Sequence, residues 1–137
     1  MPKLLAFCGS TRRNSFNKAI LKVAAQGAEE AGAEVTLIDL VDYAMPIFNE
    51  DEETEQGIPE RAQAFKELMI EHDGFLIASP EYNSSYPALL KNTLDWASRA
   101  AEGESMMQAY RGKAAGIMAA SAGGLGGLRV LMALRML

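Results

Sequence analysis

The feature that most limits the folds open to this chain is a fourfold alternation of short apolar runs with longer amphipathic segments. Lys3-Leu-Leu-Ala-Phe-Cys8, Glu34-Val-Thr-Leu-Ile-Asp39, Gly74-Phe-Leu-Ile-Ala-Ser79 and Lys113 to Ser121 have the length and bounding turn residues of buried strands. Between the first two, Ile20, Leu21, Ala24, Ala25 and Ala28 recur at helical spacing from Asn17 to Ala31, and Gly32 supplies a stop. Pro59 opens a second helix carrying Ala62, Phe65, Leu68 and Met69, and Pro87 opens a third through Leu89, Leu90, Leu94 and Trp96. A last helix follows the glycine cluster after the fourth run. Strand, helix, strand in succession requires right-handed crossovers, so the pattern predicts an open parallel sheet with helices on both faces. A length of 137 residues and 49% hydrophobic content fit one domain, residues 1–137, around one sizeable core.

Charge narrows the partners. The formal net charge of -5 speaks against general nucleic-acid binding, which needs a basic stripe to neutralise phosphates. Residues 1–28 nevertheless hold Lys3, Arg12, Arg13, Lys18 and Lys22 and no acid, which leaves room for a local anion site. The lone Cys8 cannot form an internal disulfide, and the N-terminus lacks a secretory pattern, so a cytoplasmic protein is expected. No apolar stretch approaches the roughly 20 residues of a membrane span, so no membrane partner is expected.

Residues 40–58, with Pro46 and the acidic run Glu50-Asp-Glu-Glu-Thr-Glu55, read as a long solvated loop. The consecutive acids lack the glycine and alternating spacing of a calcium loop, so no metal is expected there. Cys8 reads as a small buried residue at a strand end, and His72 as a helix-end cation or exposed polar group.

In a doubly wound sheet, ligands bind at the carboxyl ends of the strands where strand order reverses. Three loops leave those ends. The first, Gly9-Ser-Thr-Arg-Arg-Asn-Ser-Phe-Asn17, offers Ser10, Thr11 and Ser15 hydroxyls, guanidinium groups and the amides of a helix start, which suits a phosphate dianion. The plainer reading is a polar loop in which Ser15 or Asn17 caps the helix. A phosphatase loop would need arginine where the chain has Asn14, a Walker loop fails at Gly112-Lys113, and Gly9 alone makes no dinucleotide fingerprint. A mononucleotide phosphate fits better.

The second loop, Ser79-Pro-Glu-Tyr-Asn-Ser-Ser-Tyr-Pro87, is stiffened by two prolines. It can lie along a flat heterocycle with Tyr82 supplying ring surface, or it can be a turn around a buried tyrosine. The third, Ala122-Gly-Gly-Leu-Gly-Gly127, permits close backbone approach to a ligand, or is simply a flexible linker.

Together with Leu90-Lys-Asn-Thr-Leu-Asp-Trp96 and Gly123-Gly-Leu-Gly-Gly-Leu-Arg129, these loops make the chain resemble, over nearly its whole length, the NADPH-dependent FMN reductases. That family includes quinone, chromate and azo-dye reductases of flavodoxin-like α/β/α fold. The resemblance implies that Ser10, Arg12, Ser15 and Asn17, with Phe16 beside them, hold the FMN phosphate. It implies that Pro80, Glu81, Tyr82 and Asn83 line the isoalloxazine, and that Ser121 and Gly124 approach its other edge. No catalytic side chain is then required, because the flavin takes the hydride from NADPH or NADH and passes electrons to a small-molecule acceptor. A non-enzymatic FMN-binding electron carrier or binding module is the alternative. A third possibility is a fragment or regulatory domain without bound cofactor.

The resemblance further implies a homodimer or homotetramer, with the helix ending in Asp95-Trp96 as a contact surface, although Trp96 can equally be core. The family pattern continues with a fifth strand and last helix beyond Leu137, so the chain is expected to lack that final unit and to leave the fourth strand as an edge.

Overall fold

In the computed structural model, which describes Met1–Leu137, the four apolar runs form strands β1 (Lys3–Cys8), β2 (Glu34–Leu37), β3 (Gly74–Ala78) and β4 (Ala114–Met118). All pairs are parallel and the sheet order is β2-β1-β3-β4. Leu5 sits between Thr36 on one side and Phe75 on the other. The chain leaves β1 toward one edge and returns on its other flank, so the order reverses between β1 and β3. The loops there diverge, and the carboxyl ends of those strands are where a doubly wound sheet takes a ligand.

The helices are α1 (Phe16–Glu30), α2 (Glu50–Gln56), α3 (Glu60–Glu71), α4 (Ala88–Ala97) and α5 (Leu128–Leu134), with a 3-10 turn at Leu40–Tyr43. Side chains alternate across each strand, and the two faces bury different sizes. Leu5, Phe7, Phe75 and Ile77 pack against Phe65 and Met69 of α3, Leu90 and Leu94 of α4, and Val130 and Leu134 of α5. Phe7 meets Phe65 edge to face at 5.3 Å, and each buried ring contributes about 2–3 kcal/mol. On the opposite face Ala6, Cys8 and Ala78 meet Leu21 of α1, and their small volume lets α1 lie close to the sheet. No helix is long and apolar enough to cross a membrane.

Residues 40–58 depart from the expected loop. Asn49 accepts the Asp51 N–H through Oδ1 at 3.0 Å and caps α2, whose first turn is wholly acidic, an arrangement the helix dipole favours. Glu53 then grips Arg99 through both carboxylate oxygens at 2.9 Å. Just upstream, the Pro46 carbonyl accepts from Asn92 Nδ2 and Trp96 Nε1, both at 2.8 Å, and Phe48 packs edge-on against the indole. Trp96 is thereby 1% exposed. It is a core residue, so its ring cannot serve as a contact surface.

His72 is also neither exposed nor free. It is 6% exposed, its Nδ1 donates to the Leu68 carbonyl at 2.6 Å, and its Nε2 meets Thr36 Oγ1 at 2.8 Å. His72 thus stands at the helix end as expected, as the C-cap of α3, and the Lys113 ammonium joins it there, donating to the carbonyls of Met69, Ile70 and His72. A cation at a helix C-terminus is favoured by the dipole.

Candidate functional site

The first loop leaves β1 with the Gly9 N–H on the Ala78 carbonyl at 2.8 Å. A Cβ on Gly9 would stand 3.2 Å from Leu90 Cβ and 3.5 Å from Ser79 Oγ, so glycine lets this loop lie against α4 and the second loop. Ser10 is buried and its hydroxyl accepts the Arg12 N–H at 3.2 Å. Ser15 caps α1, accepting from the Asn17 and Lys18 amides at 3.2 and 3.4 Å. Both hydroxyls spend lone pairs on the backbone; Ser10 keeps a proton to donate, and the Ser15 hydroxyl also reaches the Cys8 sulfur. The N–H groups of Thr11, Arg13, Asn14, Ser15 and Phe16 donate to no protein acceptor, and that of Ser10 faces the Cys8 sulfur. Unpaired donors at the positive end of a 15-residue helix can receive an anion. Arg12 is exposed and its guanidinium lies over the Phe16 ring at 5.4 Å.

Asn17 has a different position. It is 3% exposed, and its amide reaches across to the third loop, donating to the Ala120 carbonyl at 3.0 Å and accepting the Ala120 N–H at 2.8 Å. It ties the first loop to the third.

The second loop is a hairpin. Tyr82 and Ser85 exchange both backbone hydrogen bonds at 2.9 and 3.1 Å around Asn83 and Ser84, whose φ values are 51° and 68°. Two consecutive left-handed residues make a tight primed turn, for which asparagine is well suited. Tyr82 is held outward with 54% exposure, so it is not a buried tyrosine, while Tyr86 beyond the turn packs against the core. Glu81 turns the other way, and its carboxylate accepts the Val130 N–H of α5 at 3.1 Å. Arg129 adds a bond from Nη1 to Ser84 Oγ at 3.0 Å. Glu81, Ser121, Gly124 and Arg129 line a depression of about 190 Å³, and a Cβ on Gly124 would meet nothing within 4 Å.

The structure therefore gathers all three loops at the carboxyl ends of β1, β3 and β4. Ser10, Arg12, Ser15 and Phe16 lie on the first loop and the head of α1, Pro80 and Glu81 lead into the Tyr82–Ser85 hairpin that carries Asn83, and Ser121 and Gly124 lie on the glycine loop. The sequence reading did not find the clamps Asn17–Ala120, Glu81–Val130 and Arg129–Ser84. Each joins distant segments, and only the polarity of the residues marks them beforehand. Burial raises the Cys8 thiol above its ordinary pKa, so it stays protonated at neutral pH and supplies no nucleophile.

The family model described as NADPH-dependent FMN reductase matches residues 2–137. The chain belongs to that family. Among NADPH-dependent FMN reductase relatives, it is 39% identical over 125 residues to a 2-hydroxy-1,4-benzoquinone reductase of a Burkholderia species, covering 90% of this chain and 63% of that protein. It is also 39% identical over 133 residues to an NAD(P)H-dependent FMN reductase of Pseudomonas aeruginosa, covering 97% and 67%. The flavoenzyme NAD(P)H:(acceptor) oxidoreductase FerB of Paracoccus denitrificans superposes with a TM-score of 0.79 at 29% identity, over 99% of this chain and 69% of that one. The chain thus spans roughly two thirds of these relatives' length, and the residues that the family model matches include all three loops.

Proposed function

We propose that this chain is the flavin-binding part of an FMN-dependent oxidoreductase that takes electrons from NADPH or NADH and delivers them to a small acceptor such as a quinone, an azo dye, a metal oxyanion or free flavin. The carrying observation is the set of unpaired N–H groups of Thr11, Arg13, Asn14, Ser15 and Phe16 at the head of α1, flanked by two serine hydroxyls. Dianion binding there satisfies donors that otherwise have no partner.

In this reading Ser10, Ser15 and Arg12 hold the FMN phosphate, with the Phe16 ring supporting the guanidinium. Asn17 positions the cradle through Ala120 and does not bind phosphate. Pro80, Glu81, Tyr82 and Asn83 line the isoalloxazine, with Glu81 acting through α5, and Ser121 and Gly124 bound the opposite edge. When bound, FMN supplies the hydride and electron chemistry. The protein orients the ring, and the glycine loop leaves space beside it for a planar acceptor. We further place the protein in the cytoplasm as a homodimer or homotetramer. The buried lone thiol supports the first, the exposed Leu128 and Met132 on α5 support the second, and sedimentation tests it.

The experiment is a visible spectrum of the purified protein loaded with FMN, taken before and after NADPH. Bleaching of the flavin bands, with turnover when a quinone is added, is expected. Arg12→Ala, at an exposed position, should weaken FMN binding about tenfold or more with unfolding unchanged. A protein that takes up no FMN contradicts the proposal, and one that binds FMN without bleaching is a carrier.

A further inference from the structure

The first loop has a second flank. Between it, α1 and the end of β2 lies an open cleft of about 550 Å³, a ligand-sized volume. It lies beside β2, whereas the hairpin and the glycine loop follow β3 and β4. The buried Leu21 and Cys8 are part of its lining, so it reaches down to packed core. Leu37 and Val41 also line it while 45% and 55% exposed, so apolar surface is left uncovered in a concavity. Its charge is one-sided, with Arg13, Lys18 and Lys22 set against the single carboxylate of Asp39. Lys18 holds Asp39 at 2.5 Å, and Asp39 caps the Val41 amide, so that carboxylate is neutralised where it stands. Arg13 and Lys22 are exposed and enter none of the chain's four ion pairs.

Two unpaired cations around one concavity, in a chain of net charge -5, create a local potential that favours an anion. The apolar lining defines the rest of the ligand. It is branched and aliphatic, made by Leu21, Leu37, Ile38 and Val41, and no aromatic side chain is present to stack on a ring. Such walls suit a flexible alkyl chain, which gains by leaving water for them. We propose that this cleft binds a free aliphatic carboxylate, with its chain on Leu37 and Val41 and its head group held by Arg13 and Lys22 through charge-assisted hydrogen bonds. Neither the flavin nor its electron donor takes part, so this site stands apart from the flavin reading.

The probe is octanoate, titrated calorimetrically into the full chain without flavin. One site is expected, and octanol, which keeps the alkyl chain and lacks the charge, should bind about tenfold or more weakly. Lys22→Glu and Val41→Glu should each weaken octanoate about tenfold or more with circular dichroism unchanged, and Lys22→Arg should retain it. In the native protein, octanoate should move the methyl NMR signals of Leu37 and Val41. No binding, octanol bound as tightly as octanoate, or binding that both glutamate variants leave intact overturns the proposal. Movement of the Thr11 to Phe16 amide signals without those methyls would place the carboxylate at the head of α1 and overturn it as well. Flavin uptake is read separately by fluorescence quenching, so a protein that takes up no FMN removes the flavoprotein reading and leaves the cleft to be decided by octanoate.

Discussion

Ser15 has two tasks at one atom in this account: its oxygen accepts the Asn17 and Lys18 amides, while its proton, beside the Cys8 sulfur, turns to the ligand when one binds. The two separate by substitution. Ser15→Ala should cost about 1 kcal/mol in urea unfolding and weaken FMN binding. Ser15→Asp should keep the cap and its stability but abolish FMN binding by like-charge repulsion, read by flavin fluorescence. The cap was legible in the sequence because a serine directly precedes the periodic apolar positions of α1. Cys8 was legible too, as a small residue ending a strand. His72 was legible as a helix-end residue but not as a buried one, since Thr36 Oγ1, which fixes it inside, belongs to a strand 36 residues earlier. The Asn17 amide lies beyond local reading for the same reason, its partner Ala120 being 103 residues away.

The elements carry the loops by cross-braces. Asn17→Ala leaves the Ala120 amide and carbonyl without their partners, which should cost about 2 kcal/mol and speed hydrogen exchange across residues 120–127. Stability unchanged within error would show that the brace is idle. Helix α2 shows why local pattern misled at 40–58. None of its residues is buried, so no apolar stripe announces it, and it forms because Asn49 caps it and Arg99 anchors Glu53. A second charged brace reports on pH. Lys66, 1% exposed, donates to Glu104 at 2.5 Å, and that bond holds the Glu104 carboxyl below its ordinary 4.5. The folded pKa lies under the unfolded one, so the contribution is complete above about 4.5 and lost as the pH falls through the lower folded value. Glu104→Gln should lose about 2 kcal/mol at neutral pH and show a shallower loss of stability in acid, measured by urea unfolding across pH.

Across the whole molecule, the alternation of runs determines a parallel sheet, and the order β2-β1-β3-β4 determines where its loops part. The alternation was readable from Leu5, Phe7, Phe75 and Ile77 against Ala6, Cys8 and Ala78. The larger cleft beside β2 was not, because Arg13, Lys22, Leu37 and Val41 meet only after α1 folds back on the sheet. The account as a whole depends on a phosphate seated at Ser10 to Phe16, and the direct measurement compares FMN with riboflavin, which differs only in lacking that phosphate. Titrated into flavin-free protein and followed by fluorescence quenching, FMN should bind about a hundredfold or more tightly than riboflavin. Equal affinity for the two, or no binding of either, would contradict it.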